Sequence, residues 1–168
     1  MEQFEYDDWK FEFDKEATEL FYKENKDTCE CPMCRNFRYN IYMMPKEVKN
    51  FLEQFGIDIR NPIKQHLTDN VIVENQIEQE VVYVVNGIAK SDTGYEIDIG
   101  TVQIVIDEEY IFEPNINQQC FFLTVYNMYF PWTVEEDIEE CFPKDISIWR
   151  RIKKFFKKLK LERIDNNG

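Results

Sequence analysis

Three cysteines fall within six residues, Cys29, Cys31 and Cys34, in the order C-x-C-x-x-C. Thiolates bind soft ions, with Zn–S bonds of about 2.3 Å, and a structural zinc site takes four ligands. The fourth would come from Cys120, Cys141 or His66, the single histidine of the chain, or from an exogenous ligand. Redox chemistry competes with metal binding. Pro32 suits the first position of a helix, which makes Cys31 its N-cap and puts Cys34 in the first turn, where amide donors and Arg35 would stabilise a thiolate. In a third reading the cysteines are small apolar residues at a strand-to-helix junction, with Cys34 buried beside Phe37 and Ile41. All three readings stay open on the sequence, so the expected cofactor is zinc or none.

The four residues Cys31 to Cys34, C-P-M-C, resemble the active-site motif of the glutaredoxins. The strand-helix-strand context of that family is missing, and Cys29 has no place in its pattern. A longer stretch runs CECPMCRNF, then PKEVKNFLEQFGIDIRNP, then a strand-rich segment closing in FPW. It is similar to a family of small uncharacterised bacterial proteins with a C-x-C-x-x-C-x-N-aromatic signature, over residues 20–132. The resemblance implies an intracellular protein of this architecture and brings no established activity. It marks Cys29, Cys31, Cys34 and Asn36. Asn36 is expected to cap or orient the cysteine turn, or to satisfy nearby backbone groups.

Other catalytic sets are poorly supplied. Ser91 and Ser147 are the only serines, and neither lies in a nucleophile-elbow pattern. Five glycines leave no phosphate-binding loop. Acidic runs such as Glu96, Asp98, Asp107, Glu108 and Glu109 read as a solvated sheet face, and their spacing is not that of a calcium loop.

The chain is acidic, with a formal net charge of -13, which argues against phosphate backbones as partners. Residues 144–168 hold nine Lys or Arg against three Asp or Glu, leaving eleven against thirty in residues 1–143, so a body of -19 carries a tail of +6. No stretch is apolar enough to span a bilayer, and the acidic start, MEQFEYDDWKFEFD, lacks the features of a secretory signal. Five cysteines, an odd number with three crowded together, suit a reducing compartment. A cytoplasmic protein is expected.

At 168 residues the chain fits one domain, and no linker or repeat divides 1–168. Trp9, Phe11 and Phe13 alternate with charges as in a half-buried strand, with a second strand expected at Leu20 to Tyr22. Cys34, Phe37, Ile41 and Met44 predict a first helix; Val48, Phe51, Leu52 and Phe55 predict a second after Pro45, with Gly56 as its C-terminal cap and Ile57 touching back. Strands follow at 71–74, 81–89, 95–99, 102–106 and 121–130, with Asn86-Gly87 either a hairpin turn or a bulge. Thr133 and Glu136 form a capping box for an acidic helix, Val134 to Cys141. A last helix runs from Asp145 to about Lys160, with Ile148, Trp149, Ile152, Phe155, Phe156 and Leu159 on one stripe. The fold class is therefore α+β: an antiparallel sheet or sandwich, a short N-terminal helix pair and a C-terminal amphipathic helix.

The missing catalytic set and the acidic body point first to a non-enzymatic protein-binding module, one version being an immunity-type blocker of a basic toxin. The alternative is a thiol-based zinc or redox protein centred on the cluster. The C-terminal stripe is expected to dock within the chain, with contact to a partner or an anionic membrane surface through Trp149, Ile152 and Phe156 as the other outcome.

Overall fold

The computed structural model describes residues 1–26, 28–73, 76–92, 94–108 and 119–137, with the backbone only over 66–73. The chain divides into two compact units, Met1–Thr133 and Val134–Gly168, and the elements described here belong to the first.

That unit is α+β: one antiparallel sheet of seven strands with three helices. The strands are β1 (Glu2–Tyr6), β2 (Trp9–Phe13), β3 (Lys64–Val73), β4 (Gln76–Ser91), β5 (Glu96–Ile99), β6 (Val102–Asp107) and β7 (Cys120–Pro131). Their order is β1-β2-β4-β7-β6-β5, with β3 also paired to β4. A single sheet thus stands where a sandwich was one of the two expected forms.

The alternation of the opening segment is a strand, as its period implies, but its partner is not the stretch at Leu20 to Tyr22. Glu2–Tyr6 folds back on Trp9–Phe13 through Asp7-Asp8, with Asp7 in the left-handed region at φ 50°. Asp is among the few non-glycine residues that accept this conformation at low cost. Leu20 to Tyr22 instead lies in α1 (Lys15–Glu24), whose N-cap Asp14 accepts a hydrogen bond from the Ala17 amide at 2.9 Å. The N-terminal region therefore holds three helices rather than a pair: α1, α2 (Pro32–Asn40) and α3 (Lys46–Gln54). Val48, Phe51 and Leu52 are the buried face of α3. Gly56 follows its end at φ +81°, in the left-handed cap conformation, and Ile57 is buried. A Cβ on Gly56 would come within 2.8 Å of the Lys15 carbonyl, so α3 ends in tight contact with α1.

β4 is the spine of the sheet. Asn86-Gly87 lies inside this one strand and is not a turn: up to Val82 its neighbour is β3, and from Gly87 it is β2. A Cβ on Gly87 would sit 2.3 Å from the Glu12 carbonyl oxygen, which explains why glycine stands where β2 closes in. Between the two neighbours, α1 completes the edge. Asp14 N donates to the Asn86 carbonyl at 2.9 Å, Asn86 N donates to the Thr18 hydroxyl at 3.1 Å, and the Tyr22 hydroxyl serves both backbone groups of Val84. A gap in a strand ladder would otherwise leave buried polar groups without partners.

The core is rich in aromatic rings. Phe11 and Phe55 meet edge to face at 5.0 Å, Phe13 and Phe55 at 4.9 Å, and Phe4, Phe51 and Phe121 join them. A second contact, Phe37 on Phe130 at 5.9 Å, seats α2 on β7. Val134 to Glu136 form bends rather than the start of the acidic helix expected there. Thr133 is engaged elsewhere: its hydroxyl accepts from the Asn40 side chain at 2.9 Å. Residues 138–141 of that expected helix, and the C-terminal helix with Trp149, Ile152 and Phe156, lie outside the described residues. Among the described residues no helix is long and apolar enough to cross a membrane.

Candidate metal centre

The first turn of α2 builds the site. Pro32 occupies its opening position and Cys31 is its N-cap, in extended conformation, as the fixed φ of proline favours. Cys31 and Cys34 are thereby held at the open end of the helix, and Cys29 reaches them from the preceding segment. The three sulfurs lie within 4.8 Å of one another. Tetrahedral geometry with bonds of about 2.3 Å spaces thiolates about 3.8 Å apart, so no pair of these sulfurs need close by more than about 1 Å for all three to meet one ion. None of the four described cysteines is in a disulfide.

The electrostatics favour a thiolate at the centre of the cluster. Partial burial pushes the Cys31 thiol up. The amides of Cys34 and Met33, and the thiols of Cys29 and Cys34, act against it and leave Cys31 below its ordinary value. The amides act as dipoles of the open first turn, without a full capping hydrogen bond.

Arg38 is a member of the site that sequence reasoning missed. Its guanidinium donates to the Cys29 carbonyl at 2.6 Å and to the Glu30 carboxylate at 3.1 Å. The contact folds the segment carrying Cys29 back over α2. The available signal was spacing: Arg38 lies four residues after Cys34, one helical turn along the same face.

Asn36 does not cap the cysteine turn. It is fully buried, donates to the Pro131 carbonyl at 3.1 Å and accepts from the Thr133 amide at 2.8 Å. Asn40 adds a bond to the Pro131 carbonyl at 3.2 Å. The asparagines thus anchor α2 to the end of β7, and the cluster rests on a helix held by the sheet.

Cys120 is not brought to the cluster. It opens β7, opposite Asn86, whereas the asparagines hold α2 at Pro131, the other end of that twelve-residue strand. At about 3.3 Å per residue the two ends are over 30 Å apart along the strand. Cys120 packs half-buried against the core, and burial pushes its thiol up. His66 lies in β3 opposite Glu80, with its side chain outside the described residues, as is Cys141.

No family model, curated protein or solved structure matches this chain.

Proposed function

We propose that the chain is a metal-binding protein that takes one soft ion, zinc first among them, on the thiolates of Cys29, Cys31 and Cys34. The observation that carries this reading is the convergence of three unbridged sulfurs within 4.8 Å at a helix start. The buried anchor at Asn36 supports it, because a helix that is held in place presents Cys31 and Cys34 together before any ion arrives. The fourth position falls to His66, Cys141 or an exogenous ligand. Protein purified without chelator is expected to retain one equivalent of zinc by elemental analysis. Cobalt substitution should give thiolate-to-metal charge-transfer bands that a Cys29→Ser, Cys31→Ser, Cys34→Ser variant lacks. Absence of both retained and added metal on the reduced, folded chain overturns the reading.

A second reading, recognition of another protein, is favoured by a separate observation. Tyr39, Tyr42 and Met43 are 57%, 74% and 49% exposed at the end of α2 and the turn after it, and Tyr and Met are enriched in interface cores. The acidic body would draw a basic partner to this surface, the immunity-type role being one such case. Proximity labelling with the natural chain and a Tyr39→Ala, Tyr42→Ala, Met43→Ala variant tests it: identical labelling of neighbours by the two would sink this role.

A further inference from the structure

The three thiols differ in access. Cys29 is exposed, whereas Cys31 and Cys34 are half-buried. All three sulfurs lie within 4.8 Å of one another, and Cys31 is only two residues from Cys29 along the chain. Oxidation of cysteine follows thiolate character and exposure, and a nearby second thiol turns a sulfenic acid into a disulfide before it oxidises further. Coordination to a soft ion keeps a cysteine in its thiolate form.

We propose that Cys29 is the peroxide-sensing thiol of a reversible metal-release switch, with Cys31 as its resolving partner; this rests on the metal-binding reading above. The Cys29 thiolate attacks one oxygen of a hydroperoxide, the O–O bond breaks, and the departing oxygen takes a proton and leaves as water or, from an organic peroxide, as an alcohol. Cys29 is then a sulfenic acid. The Cys31 thiolate attacks that sulfur, the S–S bond forms as the S–O bond breaks, and the oxygen leaves as a second water with another proton. The two sulfurs have together given two electrons to the peroxide. Of the three thiolates only Cys34 remains, and with two of its thiolate ligands gone the ion is released.

Two features suit this cycle. Arg38 grips the Cys29 carbonyl at 2.6 Å, keeping the oxidised sulfur beside Cys31 and favouring the disulfide over further oxidation. The Cys29–Cys31 ring would enclose Glu30 alone, and exposed or strained disulfides are the labile ones, so a small thiol such as glutathione reduces it and restores the site.

The test uses the full chain loaded with one equivalent of zinc and treated with hydrogen peroxide. Zinc release, read with a chromogenic chelator, is expected to accompany a Cys29–Cys31 link in peptide mapping, and excess thiol should reverse both. A sulfenic-acid trap should label Cys29 ahead of Cys31 and Cys34. Cys29→Ser, loaded with excess zinc, should release it at least about tenfold more slowly. If that variant holds no zinc, the trapping order in the natural chain decides. A chain that binds zinc and keeps it under peroxide, or releases it with Cys31 joined to Cys34 and Cys29 free, overturns the switch and leaves the metal site standing. A chain that never loads zinc removes the site itself.

Discussion

The hydroxyl of Tyr22 lies 2.9 Å from the amide nitrogen of Val84 and 3.1 Å from its carbonyl oxygen, so one side chain of α1 serves both backbone groups of a residue in the central strand. Both residues are buried. Removing the hydroxyl leaves a buried donor and a buried acceptor with no partner, at about 1 to 3 kcal/mol for an unsatisfied group. Tyr22→Phe is therefore expected to lower stability by about 2 to 3 kcal/mol in urea unfolding, with little change in the slope. A loss within about 0.5 kcal/mol would mean that water replaces the hydroxyl.

The same burial sets the alkaline limit of the fold. Desolvation raises Tyr22 strongly, with the Val84 backbone bond acting against it and Asp58 adding to it. Tyr83 is raised by burial, then by Tyr22 and Asp58. Both folded values lie above the unfolded one of about 10, so the stabilisation is complete below about pH 10 and is lost as pH rises and the unfolded chain ionises first. Each tyrosine contributes a slope of about 1.4 kcal/mol per pH unit there. Unfolding followed between neutral and strongly alkaline pH should steepen above about pH 10, and Tyr83→Phe should flatten that limb.

Gly87→Ala tests the close approach of β2 to β4. The added methyl would lie 2.3 Å from the Glu12 carbonyl oxygen and 2.7 Å from Phe13 Cα, both backbone atoms that cannot swing aside. A cost of about 3 kcal/mol or more is expected, or failure to accumulate folded protein. An alanine variant of native stability by thermal melting would show that β2 does not pair at this register.

Arg38→Ala separates the proposed metal site from the fold. The guanidinium touches the Cys29 segment and pairs with exposed Glu30, while Arg38 itself is half-buried outside the hydrophobic core, so unfolding stability of the metal-free chain should fall by no more than about 1 kcal/mol. Zinc affinity should fall about tenfold, in the range seen when a group that orients a ligand is removed. Competition against a chelator of known affinity checks this, and unchanged affinity would remove Arg38 from the site.

Metal removal should leave the fold standing. The sulfurs lie outside the core, which is formed by residues such as Phe13, Phe55, Val81 and Leu123, so chelation is expected to preserve the circular dichroism spectrum. Added zinc should raise the melting temperature, by the equivalent of about 2.7 kcal/mol at a hundredfold excess over its dissociation constant. Collapse of the spectrum on chelation would instead make the ion a folding element.

Much of this unit was legible in the chain because local rules wrote it. The alternation of Trp9, Phe11 and Phe13, the stripe Val48, Phe51, Leu52 and Phe55 ending at Gly56, and Pro32 opening a helix behind Cys31 are short-range patterns that packing did not override. Leu20 to Tyr22 was misleading for the same reason. Three consecutive bulky residues suit a strand, while the better signal, Asp14 capping KEATELFYKE with Thr18 and Tyr22 one turn apart on its buried side, spans ten residues.

By itself, then, the sequence determined the α+β composition, the α2 and α3 helices, the strands β2, β5, β6 and β7 and the grouping of three thiols, since each follows from spacing within a turn or a strand. Only tertiary structure decided what those pieces meet. Asn86-Gly87 is the same dipeptide in a hairpin as in a continuous strand, and the arrival of β2 beside Gly87 chose the strand. Asn36 and Cys120 were ambiguous until β7 placed them: α2 is anchored by bonds to a backbone 95 residues away, and Cys120 is at the far end of that strand. Contacts of such separation depend on how strands pair across the whole unit, and no local pattern of residues encodes them.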